Sequence, residues 1–393
     1  MVKEQLFKSY VTTAATLVQQ YNGCIPLADF LKKYFAIHKK YGSRDRKYIM
    51  HLCYCYFRLG HAFKNTTTEE RIADALFLCS LASNELLQKI KPVFNANTQL
   101  SLEEKLKLLH KSSDEINNIF PWQQHLSNNI AAAAFAASHL IQPDLFIRIR
   151  PGYKQQVIKK LQTNNIIYIA LENDCVALPN NTKVDDLLII NKEVVVQDYS
   201  SQRIAAFLQI IKSNISHQPS VWDCCAASGG KSILAFDTLQ HIQLTVSDIR
   251  SSIINNLRNR FAAAGIKKYQ SFITDLTTAN YKSPAANFDL IICDAPCSGS
   301  GTWGRTPEQL YFFTEDRIEY YTSLQKSIIS NIIPALKKKG YLLYITCSVF
   351  MKENEEIVQF IESNFKLHLM KQALLIGYPH KADTMFAALF LKN

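Results

Sequence analysis

From residue 220 onward, short apolar runs alternate with stretches whose apolar residues recur at three and four. SVWDCCA (220–226), IQLTVSD (242–248), YQSFITD (269–275), FDLIICDAP (288–296) and YLLYITC (341–347) are the strands. GGKSILAFDTL, RSSIINNLRNRFAAAG and EDRIEYYTSLQKSIISNIIPALKKK are the helices. Strand–helix alternation is satisfied by a doubly wound, mainly parallel sheet, which binds ligands at the carboxyl ends of its strands. That places the search for chemistry at the ends of these runs.

The remainder of the chain reads differently. A chain of 393 residues exceeds one ordinary core, so two or three domains are expected. Residues 1 to about 120 carry helical periodicity with few turn residues. SRDRKYIMHLCYCYFRLGH (43–61) is the clearest helix, with Ser43 as its N-cap and Ile49, Leu52, Cys53 and Tyr56 on one face. From about 145, LFIRIR, IIYIALE, DCVALP and LLIINKEVVVQ read as strands of a small α+β segment, and QDYSSQRIAAFLQIIKSN as a helix opened by its serine pair. The expected domains are therefore 1–142, helical; 143–215, small α+β; and 216–393, α/β.

The N-terminal stretch carries charges through its apolar positions, unlike a signal peptide, and IAAAAFAASHLI (130–141) is too short to span a bilayer. A cytoplasmic protein with no membrane partner is expected, and a monomer. Its ten cysteines are thinly spread and read as reduced thiols, mostly core residues. Cys224/Cys225 and Cys53/Cys55 lack zinc-knuckle spacing, and Cys293/Cys297 has no second pair, so no metal is expected. The net charge is +11, and residues 31–64 hold nine basic side chains (Lys32, Lys33, Lys39, Lys40, Arg44, Arg46, Lys47, Arg58, Lys64) against one acid, Asp45. With Tyr34, Tyr41 and Tyr48 interleaved, the run suits a polyanion such as nucleic acid.

DCCAASGGKS (223–232) is a strand end, glycine turn and helix start. A P-loop would need glycine where Cys225 stands, and the Gly-x-Gly-x-x-Gly of dinucleotide folds is absent. S-adenosylmethionine, which needs close backbone approach but no full anion cradle, fits. Three strands end in acids: Asp248, Asp275 and Asp294. Carboxylates only accept hydrogen bonds, which suits ribose hydroxyls and an adenine amine. Capping of following helices is the bland alternative, good for Asp275 and poorer for all three. Cys297 and Cys347 both follow strands of one sheet and stand in polar turn sequence, where their sulfurs could converge on a substrate. A thiolate adding at C6 of a pyrimidine makes C5 nucleophilic, and a second thiol with an acid would assist methylation and elimination.

CAASGGK (225–231), DAPCSGSGTWGRTPE (294–308) and TCS (346–348) resemble the signatures of the RsmB/Sun/NSun family of S-adenosylmethionine-dependent RNA cytosine-C5 methyltransferases. QDYSSQ (197–202) is similar to the segment before that family's cofactor domain, and SRDRKYIMHLCYCYFRLG to the NusB-like RNA-binding domain of its bacterial 16S rRNA branch. The resemblance implies a Rossmann-like class I methyltransferase domain, a NusB-like all-α domain at the N-terminus and a small α+β domain between. It implies Cys347 as nucleophile, Cys297 as the thiol that assists release, and Asp294 against cytosine and cofactor. Asp248 and Asp275 would hold ribose and adenine. Cys225, Ala226, Ala227, Ser228, Gly229 and Gly230 would form the cofactor turn, with Lys231 near cofactor and substrate. Ribosomal RNA is the favoured partner and tRNA the other candidate. Ser228 stands where the family commonly has Pro, which should loosen the turn. Arg148-Ile149-Arg150 replaces a usual Arg-Val-Asn, so Arg150 need not touch substrate. The rival expectations are an RNA-binding ribosome-assembly factor that keeps the fold, and an S-adenosylmethionine enzyme acting on protein or a small molecule.

Overall fold

The expected alternation folds into a seven-stranded sheet in a computed structural model, which describes residues 2–278, 281, 284 and 287–393, the side chains of residues 2–6 aside. The chain forms two compact units: residues up to Gln142 together with Thr302–Thr314, and Pro143–Gly301 together with Glu315–Asn393. The first boundary falls between Gln142 and Pro143. The inclusion of 302–314 with the N-terminal helices has no sequence signal.

Among its described residues, the first unit's named elements are all helices. The expected helix at 43–61 runs Ser43–Arg58, but Gly42 is its N-cap, and Asp45 Oδ2 accepts from the Gly42 N–H at 2.8 Å. Ser43 is thus the first helical residue. Ile49, Leu52 and Cys53 are buried and Tyr56 half-buried, as the periodicity predicts. Arg58 is no surface cation. It is 4% exposed and donates to the carbonyls of His139, Ile141 and Gly304.

The second unit holds two sheets. β1 (Leu145–Ile149), β2 (Ile169–Ala170), β3 (Cys175–Leu178) and β4 (Val194–Val196) form a small antiparallel sheet in the order β2-β3-β1-β4. β5 (Ser220–Asp223), β6 (Gln243–Asp248), β7 (Tyr269–Ile273), β8 (Phe288–Asp294), β9 (Leu336–Thr346), β10 (Leu367–Leu375) and β11 (Met385–Lys392) form the large one, in the order β10-β11-β9-β8-β5-β6-β7. β5 to β9 pair in parallel, while β11 runs antiparallel between β9 and β10. This is a Rossmann-like fold with a mixed sheet. The strand order reverses at β5, with β6 and β7 to one side and β8 and β9 to the other. That reversal puts a crevice at the carboxyl ends of β5, β6 and β8.

Local chemistry sets the element ends. The expected helix through Lys339 stops at Ile332, because Pro334 cannot continue it, and Lys337–Lys339 fall at the start of β9 instead. The helix after β4 starts from Asp198, whose side chain accepts from Ser200 N, with the serine pair inside it. Arg148 and Arg150 point back from β1 and its end onto Asp237 of the helix Gly230–Leu239. Arg148 Nη1 and Arg150 Nη2 each lie 2.7 Å from its carboxylate, and all three side chains are at most 9% exposed. A buried pair of cations on one acid holds position strongly when intact, since losing one partner strands a charge. Arg150 is therefore a strut between the small sheet and the helix Gly230–Leu239.

Candidate active site

Each expected site residue stands at the carboxyl edge of the large sheet. The turn after β5 is tied to β6 by backbone and side chain. Ala226 N donates to Ser247 O at 2.9 Å, and Ser247 Oγ donates to Cys224 O at 2.9 Å. Ala227 takes a positive φ of 45°, and its N–H donates to Asp248 Oδ2 at 3.0 Å. Gly229 caps the helix in the left-handed region at φ 84°, and a Cβ there would lie 2.6 Å from Phe261 Cε1. Both conditions require glycine. A Cβ on Gly230 would meet nothing within 4 Å, so this face of the turn opens on free space.

The Ser228 departure does not leave the turn loose. Arg260, on the helix Ser251–Ala264, donates from Nη1 to Ser228 Oγ at 2.6 Å and to Ser228 O at 3.0 Å. Its Nε donates to Asn191 Oδ1 at 3.1 Å, which extends the anchor to the small sheet's loop. A side-chain clamp replaces the fixed φ a proline would supply.

The strand-ending acids differ in how much of their hydrogen-bonding capacity is taken. Asp248 is buried and accepts from Ala227 N, Arg250 N and Arg250 Nε. The Arg250 side chain is 57% exposed, so it can yield to a competing donor. Asp275 Oδ1 accepts from Thr277 N at 2.9 Å and Thr277 Oγ1 at 2.6 Å, so it closes a local turn rather than capping a helix. Asp294 Oδ2 accepts from Lys231 Nζ at 3.0 Å. Burial disfavours the Lys231 ammonium, but Asp294 and the nearby Cys347 more than offset it, and the amine's pKa is raised. The cation therefore persists at neutral pH between a carboxylate and a thiol.

The two thiols that follow strands β8 and β9 meet. Cys297 Sγ and Cys347 Sγ are 3.2 Å apart, both half-buried, across 50 residues of sequence. The hydrogen bond to Cys347 and burial push the Cys297 thiol well above its usual range, so Cys297 keeps its proton. The two loops are held by a group that sequence reasoning missed. Glu353, fully buried, accepts from Ser298 N (2.9 Å), Gln325 Nε2 (3.0 Å) and Ser348 Oγ (2.7 Å). One carboxylate thus binds the residue after each cysteine. Its signal lay in the serines that follow both cysteines, which need a buried acceptor. A second missed acid is Asp223, fully buried at the end of β5, bonded to Ser232 Oγ at 2.6 Å and pushed up to about 7 by burial.

Residues 209–390 match the family model described as 16S rRNA methyltransferase RsmB/F. The probable ribosomal RNA small subunit methyltransferase B of Bacillus subtilis is 28% identical over 240 residues, covering 60% of this chain and 53% of that protein. The ribosomal RNA small subunit methyltransferase B of Yersinia enterocolitica is 26% identical over 304 residues, 66% of this chain and 68% of its own. The chain spans about half the length of the Bacillus relative. A solved methyltransferase homolog protein from Pyrococcus horikoshii superposes with a TM-score of 0.58 at 19% identity, covering 74% of this chain and 98% of that one. That likeness shows the fold. Among the described residues, no helix is long and apolar enough to cross a membrane.

Proposed function

We propose, from the match of residues 209–390 to the RsmB/F methyltransferase family model and from the rRNA methyltransferase relatives, that this protein transfers a methyl group from S-adenosylmethionine to C5 of a cytosine in RNA, with ribosomal RNA as substrate. The observation that carries the reading is the pair of free sulfurs, 3.2 Å apart, beside the Lys231–Asp294 ion pair. The turn fits the cofactor. It presents the backbone of Cys225, Ala226, Ala227, Ser228, Gly229 and Gly230 with open space at Gly230, and Asp248 and Asp275 supply acceptors for ribose and adenine. When bound, S-adenosylmethionine supplies the electrophilic methyl.

Cys347 acts as nucleophile. Its thiolate forms the S–C6 bond, and the ring's electron pair moves to C5, which then takes the methyl. Asp294, held by Lys231, orients the cytosine through its ring nitrogen and amine. Loss of the C5 proton to a water molecule restores the C5–C6 double bond and expels Cys347 as a thiolate, which the protonated Cys297 assists by donating its S–H to the departing sulfur. The high pKa of Cys297 suits a thiol that stays protonated while its neighbour attacks. Residues 143–215 act as a substrate-side domain, and the helical unit as the NusB-like RNA-binding domain.

Incubation of labelled S-adenosylmethionine with ribosomal RNA should give label at C5 of cytosine, mapped by bisulfite sequencing. Asp248→Ala should raise the cofactor dissociation constant at least about tenfold, the loss of one or two hydrogen bonds to a charged group. Label on a base other than cytosine, or on protein, would reject this assignment.

RNA affinity is assigned to the exposed lysines of the 31–64 run. Lys32, Lys33, Lys39, Lys40 and Lys47 are exposed, whereas Arg58 is buried and Arg44 pairs with Glu85. Tyr48 also bonds Glu85, so this ring is partly committed within the unit. Neutralising Lys39, Lys40, Arg44 and Lys47 should weaken RNA binding. It should also flatten the dependence of log affinity on log salt concentration, by a slope of roughly 0.7 to 0.9 for each phosphate no longer neutralised. An unchanged salt slope would return the run to a solvated face.

A further inference from the structure

A second group of thiols lies outside the Cys297–Cys347 pair. β5 and β8 are parallel neighbours, with Asp223 opposite Ile292 and Cys224 N donating to Ile292 O at 3.0 Å. This pairing sets Cys224 and Cys225, just past β5, beside Cys293 inside β8. The three sulfurs all lie within 4.8 Å of one another. Cys224 and Cys293 are fully buried among apolar side chains, Cys225 is partly buried, and all three are free thiols. A single buried cysteine packs as a small hydrophobe, but three with their sulfurs brought together also make a ligand set for an ion.

We propose that Cys224, Cys225 and Cys293 form a binding site for a soft, thiophilic cation, with Cu(I) preferred. Three sulfurs around one ion at about 2.3 Å each would sit about 4 Å apart, so the observed spacing needs little adjustment. Soft thiolates select Cu(I) and zinc among common metals. Structural zinc takes four protein ligands, and among the described residues no fourth His, Cys, Asp or Glu donor joins the group. That deficit favours Cu(I), which accepts three. Each sulfur that binds gives its proton to solvent, and the metal–sulfur bond takes its place. Cys225 also opens the cofactor turn, so an ion held here would pin that turn to β8. The site does not depend on the identity of the methyl acceptor.

The test is anaerobic titration of the full-length protein with Cu(I) against a competing chromogenic chelator, read as equivalents bound. One tightly held equivalent is expected. It should vanish in Cys293→Val and in Cys224→Ala, both chosen to keep the core packed, and remain in Cys297→Ser, which breaks the other thiol pair. Circular dichroism melts identify any variant that fails to fold. For such a variant the wild type decides: Cu(I) should slow alkylation of Cys225, read by mass spectrometry, by at least about tenfold. X-ray absorption should show sulfur-only coordination with three scatterers. An equivalent that persists in folded Cys293→Val and Cys224→Ala, or disappears only in Cys297→Ser, overturns the proposal. So does unchanged alkylation of Cys225.

Discussion

Cys297→Ala incubated with substrate RNA and S-adenosylmethionine should accumulate a protein–RNA adduct that survives denaturing electrophoresis, while Cys347→Ala should give none. In the first variant the nucleophile is intact, so the S–C6 bond forms and the methyl moves, but elimination lacks its assisting thiol. Loss of a positioned proton-transfer partner costs about a hundredfold or more in rate, which is enough to trap the intermediate. In the second the attacking sulfur is absent, and turnover should fall to background. The two thiols touch one another, and burial together with the hydrogen bond to Cys347 drives Cys297 to keep its proton. Both variants should bind cofactor, since neither sulfur lies in the 225–230 turn. An adduct in Cys347→Ala and none in Cys297→Ala would exchange the two roles.

The second large effect concerns Gly301. Its N–H donates to Cys347 O at 2.9 Å, and Thr384 N donates to Gly301 O at 2.9 Å. A Cβ at this position would lie 1.9 Å from Thr384 O and 3.0 Å from Cys347 O, both backbone atoms that cannot rotate away. Gly301→Ala should therefore destabilise the second unit by about 3 kcal/mol, the upper range for forced overpacking. For a unit of this size that corresponds to a fall of roughly 10 °C in Tm. The loop bearing Cys347 moves with the clash, and a displacement of about 1 Å at a reacting group costs on the order of a hundredfold in rate. Gly230→Ala is the control for stability. Its Cβ meets nothing within 4 Å and its helical position tolerates alanine, so its Tm should hold. Equal melting points for the two variants would remove the steric account of why glycine stands at 301.

Most of the sheet was legible because buried strands bounded by turn residues and helices of clear period leave few alternatives. The pairing of Cys297 with Cys347 followed from the rule that parallel strands share a carboxyl edge. Other features depended on distance in sequence that no local pattern encodes. Glu353 reads as one more acid in a charged stretch, MKENEE, and only the fold shows it buried against the residues after both cysteines. Arg58 reads as one of nine basic residues, yet it closes three carbonyls inside the helical unit. The expected cap at Ser43 lost to Asp45, whose carboxylate reaches the Gly42 N–H. Cys224 and Cys225 lacked knuckle spacing, but their third partner comes from the neighbouring strand, a relation that linear spacing does not record.

The clamp of Arg260 on Ser228 also constrains how this turn can change over time. A proline at 228 would remove the hydroxyl and leave the half-buried guanidinium with one acceptor fewer. Loss of Arg260 alone would free a turn that has no rigid ring to hold it. Each single step is unfavourable, and the favourable states are the two ends: serine with arginine, or proline without it. The two positions therefore act as one coupled unit, although they are 32 residues apart.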